Sequence, residues 1–147
     1  MYRSVVRITD TAAFQLGTVG VIVAQRFADR IAKLDLKPKH VGVLDLVAAT
    51  PGASQLDIAG AMGVVPSLVV RLVDHLERLG AVERVRASDD RRRQTLHLTE
   101  RGHALLTECT AISRSLDADL LAGLGTAERT ALQAALREVA ANLESLR

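Results

Sequence analysis

The sequence predicts a mainly α-helical chain with one small β-hairpin. Apolar residues recur at helical spacing through most of the 147 residues, and one short stretch alternates polar and apolar residues. Aromatic residues make up only 2% of the chain, so the core is expected to be aliphatic. A hydrophobic fraction of 48% with balanced charge excludes a disordered chain.

Two helices are predicted before residue 50. Residues 10–34 form the first, because Val19, Val23, Phe27 and Ile31 recur at every fourth position. Pro38 suits the first turn of the second, which ends at the turn beginning with Thr50.

The next segment predicts two helices separated by a tight turn. Ser54 and Asp57 have the spacing of a capping box and begin a short helix that ends before Gly63. Pro66 begins a longer helix, which Gly80 ends. Two helices joined by so short a connection are typical of a helix-turn-helix.

A hairpin is predicted directly after this pair. Residues 82–86 and 94–99 are strand candidates, and the polar loop 87–93 joins them. Three helices followed by a two-stranded hairpin across residues 36–99 predict a winged helix-turn-helix.

The chain is predicted to end in two long helices, residues 100–121 and a last helix from Thr126. Leu132, Leu136, Val139 and Leu143 follow the 3.5-residue period of a coiled-coil seam, which needs a partner to bury it. The N-terminal helix and a second copy of the chain are the candidate partners.

The helix after Pro66 is predicted to have one apolar and one polar face. Its polar face carries Ser67, Arg71, Asp74 and Arg78, with Val70 at the edge. Arginine can donate two hydrogen bonds to guanine in a major groove, and serine can bond a phosphate or a base edge. The alternative is an ordinary amphipathic helix with a solvated arginine face.

The hairpin loop and its flanks are strongly basic. Between Arg84 and Arg93 there are five arginines and two aspartates, a local net charge of +3. Consecutive arginines repel each other, so a polyanion is the expected partner, and a minor groove suits such a tip. Asp90 is expected to orient one arginine side chain. The alternative is a merely solvated turn.

Residues 36–106 resemble the multiple antibiotic resistance regulator (MarR) family of bacterial transcription factors. The matching motifs run in order along the chain: Gly63-Val64, Pro66-Ser67, Arg71 to Glu77, Leu79-Gly80, Asp90-Arg91-Arg92 and Leu98 to Gly102. The resemblance implies a homodimer on a palindromic operator in double-stranded DNA, usually a repressor released by a small phenolic or aromatic ligand. It also implies that residues 1–35 and 104–147 supply dimerisation helices around a winged helix-turn-helix DNA-binding region, residues 36–103. A cytoplasmic location is expected because membrane and export signals are weak.

Together, these features define a set of predicted DNA-contacting residues. The set is Ser54, Pro66, Ser67, Val70, Arg71, Asp74, Arg78, Arg84, Arg86, Asp90, Arg91, Arg92 and Arg93. The chain departs from the family pattern at Val65, a weak N-cap, and at Val70, which can contact only a thymine methyl. These departures keep open an alternative, a winged-helix protein-interaction module without specific DNA binding.

A ligand pocket is expected where the first, second and fifth helices meet the DNA-binding region, with Phe14 and His40 as candidate lining residues. The four histidines lack metal-ligand spacing, so no cofactor or metal is expected. No catalytic constellation predicts an enzyme. The longest uncharged run, residues 11–25, is too short to span a membrane, and a single cysteine, Cys109, suits a reducing compartment.

Overall fold

A computed structural model describes residues 6–146 of the chain. They divide into two compact units, the first ending at Ser113 and the second beginning at Arg114. The elements are α1 (Ala12–Ile31), α2 (Pro38–Ala49), α3 (Gln55–Met62), α4 (Pro66–Arg78), β1 (Val82–Arg86), β2 (Gln94–Leu98), α5 (Glu100–Leu120) and α6 (Thr126–Ser145). The predicted fold class, mainly helical with one hairpin, is confirmed.

The first helix is shorter than predicted at both ends. Single turns of 3-10 helix, Ile8–Asp10 and Ala32–Leu34, flank α1. Thr11 caps α1 because its hydroxyl accepts a hydrogen bond from the backbone N–H of Phe14 at 3.3 Å. The helical periodicity in the sequence continues into these turns, which is why the prediction ran too long.

The helix-turn-helix follows its sequence signals. Ser54 and Asp57 form the reciprocal capping box of α3: the Ser54 N–H donates to the Asp57 carboxylate at 2.9 Å, and the Asp57 N–H donates to the Ser54 hydroxyl at 3.1 Å. Gly63 ends α3 with φ of 66°, a left-handed conformation that suits glycine. Pro66 is the first residue of α4.

The hairpin is antiparallel, and it is tied to the start of α3. Val82 pairs with Leu98 and Arg86 pairs with Gln94. The backbone of Leu96 also accepts from Gly52 N–H at 3.1 Å and donates to the Ala53 carbonyl at 2.8 Å. These bonds hold the loop before α3 against β2, so the hairpin and the N-terminus of α3 share one frame.

The core of the first unit is aliphatic. It gathers side chains from every helix of this unit and from both strands: Ile31, Val43, Leu44, Val47, Ile58, Val69, Val73, Leu76, Val82, Leu96, Leu105 and Cys109. Complete burial of such a side chain stabilises the fold by about 1.5–3 kcal/mol. This core fixes α4 and the hairpin, which carry most of the predicted contact residues.

Apolar side chains also lie on exposed helix faces. In the first unit, Phe14, Val19 and Ile22 of α1 are exposed, and in the second unit Leu136 and Leu143 of α6 are exposed. Among residues 6–146, no single helix is long and apolar enough to span a membrane; α3 and α4 pass such a test only as a pair bent by 115°.

Candidate nucleic-acid interface

Helix α4 has a fully apolar inner face and a polar outer face. Val69, Val73 and Leu76 are buried, whereas Ser67 and Arg71 are exposed. Within the described part of the chain, the Arg71 guanidinium makes no ion pair or side-chain hydrogen bond. Arg71 is therefore available to an external acceptor.

The first residues of α4 are apolar and lack a side-chain cap. Val65 stands at the N-cap with extended backbone, φ −67° and ψ 142°, but cannot accept a hydrogen bond. Val65 is 64% exposed and Val70 is 38% exposed. In this first turn Pro66 has no N–H and the Leu68 N–H donates to the Val65 carbonyl at 3.1 Å, so the Ser67 N–H is the donor left for solvent or a ligand.

Arg84 does not face outward as the sequence suggested. Its guanidinium donates to Asp74 at 2.5 Å and to Glu77 at 2.9 Å, and the side chain is only 18% exposed. Although partial burial opposes the charge, the hydrogen bonds and charges of Asp74 and Glu77 raise the pKa of Arg84. This arginine is held by carboxylates and is not free for a phosphate.

The same guanidinium reaches a third element. Arg84 Nε and Nη2 donate to Gln55 Oε1 at 3.3 and 3.1 Å. A single side chain on β1 therefore joins α3 and α4. Its role, like that of Asp74, is to fix the hairpin relative to the helix-turn-helix.

Asp90 shapes the hairpin loop through the backbone. Its carboxylate accepts the Arg92 N–H at 2.9 Å, and its carbonyl accepts the Arg93 N–H at 3.0 Å. The sequence suggested that Asp90 orients an arginine side chain; instead it orients the peptide that carries the arginines.

A basic cleft of about 720 Å³ lies between the hairpin loop and the start of α3. We call this the wing cleft, and its lining residues are Ser54, Gln55, Leu56, Asp57, Arg86, Arg91, Arg92, Arg93 and Gln94. Its four guanidiniums make no ion pair with any described residue. Asp57 is the one carboxyl group among the lining residues, and hydrogen bonds from Ser54 lower its pKa and so favour its charged form. With four arginines and one carboxylate, the wing cleft carries a net positive charge.

A separate cavity of about 310 Å³ lies between α1, α2 and α5, where the sequence predicted a ligand pocket. Its lining residues are Phe27, Val41, Gly42, Asp45, Leu106, Cys109, Thr110 and Ser113. Phe14 and His40 are not among them. Phe14 lies nearer the start of α1, 43% exposed. Burial raises the pKa of the Cys109 thiol, which disfavours a reactive thiolate.

His40 lies instead beside α4, in a pair that the sequence did not reveal. Its ring stacks on the ring of His75, with centroids 4.4 Å apart. His40 Nδ1 accepts the Lys37 N–H at 2.9 Å, and His75 Nε2 lies 2.6 Å from the Asp35 carbonyl oxygen. The only sequence signal was the position of His40, three residues after the N-cap of α2.

Comparisons with known proteins give the family. The model of the MarR family matches residues 34–93. A Thauera aromatica protein, named as a transcriptional regulatory protein for the hcr operon, is 33% identical over 127 residues, covering 86% of this chain and 76% of that protein. The chain belongs to the MarR family of transcriptional regulators.

Two solved structures of the transcriptional repressor CouR are also similar. CouR on a 23-mer DNA duplex is 29% identical, with a TM-score of 0.81, covering 95% of this chain and 99% of that chain. CouR from Rhodococcus jostii RHA1 bound to p-coumaroyl-CoA is 27% identical, with a TM-score of 0.76, covering 91% and 94%.

Proposed function

We propose that this protein is a homodimeric, sequence-specific DNA-binding repressor that a small ligand releases from a palindromic operator. The observation that carries the proposal is the wing cleft, where four arginines without an ion-pair partner in residues 6–146 lie beside the capped N-terminus of α3. Such an arrangement suits a phosphate backbone or a narrow minor groove. The protein then acts in the cytoplasm, with the DNA.

Arg71 supplies the complementary role on the reading helix. Its exposed guanidinium lies on α4. The hydrogen bonds from Arg84 to Asp74 and Glu77, which we call the Arg84 clamp, tie α4 to the hairpin. We propose that Arg71 and Ser67 read base edges in the major groove while Arg92 reaches the flanking minor groove. The CouR–DNA structure, from a family relative, supports DNA as the partner.

Dimerisation is supported by the exposed apolar faces of α1 and α6. Helices with such faces require a partner surface to exclude water. A second copy of the chain offers the same faces and makes a symmetric interface. A two-fold dimer in turn presents two reading helices, which a palindromic site matches.

Two observations support release of DNA by a ligand. The cavity between α1, α2 and α5 offers space for a small molecule. CouR, a family relative, has been solved bound to p-coumaroyl-CoA. A ligand that wedges apart helices in one protomer can change the spacing of the two reading helices. A changed spacing would lower the affinity for the operator, so ligand binding and DNA binding would be coupled and the ligand would relieve repression.

The salt dependence of DNA binding tests the wing directly. Arg92→Ala should make the negative slope of log K against log salt shallower by about 0.9 per protomer, or about 1.8 for a bound dimer, because each chain loses one positive charge at the DNA. The measurement is fluorescence anisotropy of a mixed-sequence duplex at several salt concentrations. Arg101→Ala, which changes another exposed arginine outside the wing cleft, is the matched control and should leave the slope unchanged. An unaltered slope in Arg92→Ala contradicts the proposal.

A second candidate function is a winged-helix module that binds another protein. Exposed Val65 and Val70 at the start of α4 favour it, because valine side chains cannot hydrogen-bond to base edges or phosphates. This candidate predicts DNA binding without sequence preference, so selection from a random duplex pool would enrich no sequence.

A further inference from the structure

Two neighbouring rows of side chains run along the first turns of α4. Residues four positions apart lie on one face of a helix, so Ser67 and Arg71 form a polar row. Pro66 and Val70 form a second row beside it, which we call the apolar row. All four residues are exposed. The polar row carries the base contacts proposed above, whereas no part of residues 6–146 covers the apolar row.

The exposure of Val70 has no explanation in the stability of α4. Valine is one of the weaker helix formers, so this residue does not favour the helix by itself. Val69 and Val73 on the inner face are completely buried, but Val70 is 38% exposed. Its apolar surface is removed from water only when another molecule covers it.

The acids that follow Val70 on this side of α4 are held by the hairpin. Asp74, four positions after Val70, accepts from Arg84 at 2.5 Å, and Glu77 accepts from the same guanidinium at 2.9 Å. In a major groove, a carboxylate is the group that accepts a hydrogen bond from the amino group of cytosine. Because Arg84 holds both carboxylates, the apolar row is what this side of α4 offers to a base edge.

The surroundings of the apolar row favour DNA over a protein as the molecule that covers it. Two side chains are far less than the roughly 1,200–2,000 Å² that a stable protein–protein interface buries. Beside them lies the Arg71 guanidinium, which makes no ion pair with residues 6–146. Thymine is the base that presents an apolar group in the major groove, its C5 methyl, and small apolar side chains pack on it.

We propose that Pro66 and Val70 are specificity-determining residues that pack on a pyrimidine C5 methyl group, that of a thymine in each half-site of the operator. This inference rests on the proposed function, because it requires α4 to lie in the major groove. It adds a contact that distinguishes thymine from the other bases, whereas Arg71 recognises guanine through two acceptors. The operator therefore has to present a methyl group as well as hydrogen-bond acceptors.

Two random duplex pools, one made with thymidine and one with deoxyuridine, test the proposal. Uracil pairs as thymine does but lacks the C5 methyl. The full-length protein should enrich a consensus with a thymine in each half-site from the thymidine pool, and that position should lose its preference in the deoxyuridine pool. The same consensus from both pools, with uracil at every thymine position, overturns the methyl contact and leaves the proposed function standing. No enrichment from either pool contradicts the proposed function, and this inference with it.

Anisotropy titrations with one enriched duplex measure the size of the contact. Deoxyuridine at the methyl-contacting position should weaken binding about fourfold in one half-site and about fifteenfold in both, as expected for one methyl group each. A mixed-sequence duplex should bind equally well with either nucleoside, because phosphate contacts do not involve the methyl group.

The same titrations distinguish thymine from a modified cytosine as the source of the methyl group. At the same position, 5-methylcytosine should bind more tightly than cytosine, since the two bases differ only in the C5 methyl, and less tightly than thymine. Equal affinity for cytosine and 5-methylcytosine overturns the methyl contact. Tighter binding of 5-methylcytosine than of thymine overturns the assignment to thymine.

Val70→Ala and Val85→Ala form a matched pair of variants. Val85 lies on β1, outside α4, and is 42% exposed, against 38% for Val70. Val70→Ala should lose most of the preference for the thymidine form of the enriched duplex over its deoxyuridine form, whereas Val85→Ala should keep the wild-type preference. Circular dichroism checks that each variant is folded. A preference that survives in Val70→Ala overturns the assignment to this residue.

Discussion

At the scale of single residues, Arg84 and Arg86 stand two positions apart on β1 and have opposite surroundings. Arg84 is bonded to Asp74, Glu77 and Gln55, whereas Arg86 is exposed and lines the wing cleft. Both side chains carry the same charge. Comparing the effects of their substitution on stability and on DNA binding therefore separates a structural role from a DNA-binding role.

We predict that Arg84→Ala lowers the free energy of unfolding by about 2 kcal/mol, because hydrogen bonds between charged groups are lost and Asp74 keeps no partner. Arg86→Ala should change it by less than about 0.5 kcal/mol, as exposed substitutions usually do, and should weaken DNA binding instead. Urea denaturation at fixed protein concentration and anisotropy titrations measure the two effects. Equal stability of the two variants would count against the clamp.

His40 makes stability depend on pH. Its pKa is lowered to about 4 in the folded chain from an ordinary value of 6.5, so the unfolded chain binds the proton more readily between these two values. The contribution of His40 to stability is therefore fully present above pH 6.5 and declines as the pH falls towards 4.

His40→Gln isolates this effect, because glutamine keeps the capping-box acceptor for the Lys37 N–H but does not titrate. Between pH 7 and pH 5 the wild-type protein should lose about 1–2 kcal/mol more stability than His40→Gln. Chemical denaturation at each pH measures the difference. Parallel stability curves for the two proteins would show that His40 titrates normally in the fold.

At the scale of elements, the start of α4 has the backbone conformation of a capped helix but lacks a side chain that caps it. Val65 already has the extended backbone that an N-cap needs. Val65→Ser should raise the free energy of unfolding by about 1 kcal/mol, because a hydroxyl can accept an N–H from the first turn. Thermal and urea denaturation check this. Val70→Ser, the same change away from the cap, should give no gain; an equal gain would exclude capping as the cause.

Local signals were sufficient to predict the elements. Pro66, the Ser54–Asp57 capping box and the alternation in residues 94–99 each act within a few residues, so the bounds of α3, α4 and the strands could be predicted. The site was less predictable because its contacts are long-range. Arg84 meets Gln55, 29 positions away, and nothing near Arg84 in the sequence reveals that acceptor.

Contacts between α2 and α4 were the least predictable feature. His40 stacks on His75, which lies 35 positions further along the chain, and this contact forms only when the first turn of α2 packs beside α4. Sequence periodicity assigns His40 to a helix but cannot show which element covers it. Phe14 was a candidate lining residue because the first helix was expected to border the ligand pocket, but the aromatic residue of α1 that lines the cavity is Phe27.

At the scale of the whole molecule, charge is distributed unevenly. The formal net charge is only +2, yet the wing cleft has four arginines that form no ion pair with residues 6–146. Local fields of this kind concentrate anions far more than the net charge suggests. The exposed apolar faces of α1 and α6 favour association with a second copy of the chain, and a dimer has twice the basic surface of one chain.

Selection of bound sequences from a random duplex pool tests whether the protein reads DNA as a dimer. Two copies of the chain, each inserting α4 into a major groove, should enrich a palindrome whose half-sites are centred about 10 base pairs apart. Arg71→Ala should relax the preference within each half-site, while Arg92→Ala should retain the same consensus at lower affinity. A pool that shows no enrichment, or enriches a single unrepeated half-site, would contradict a dimeric DNA-reading regulator.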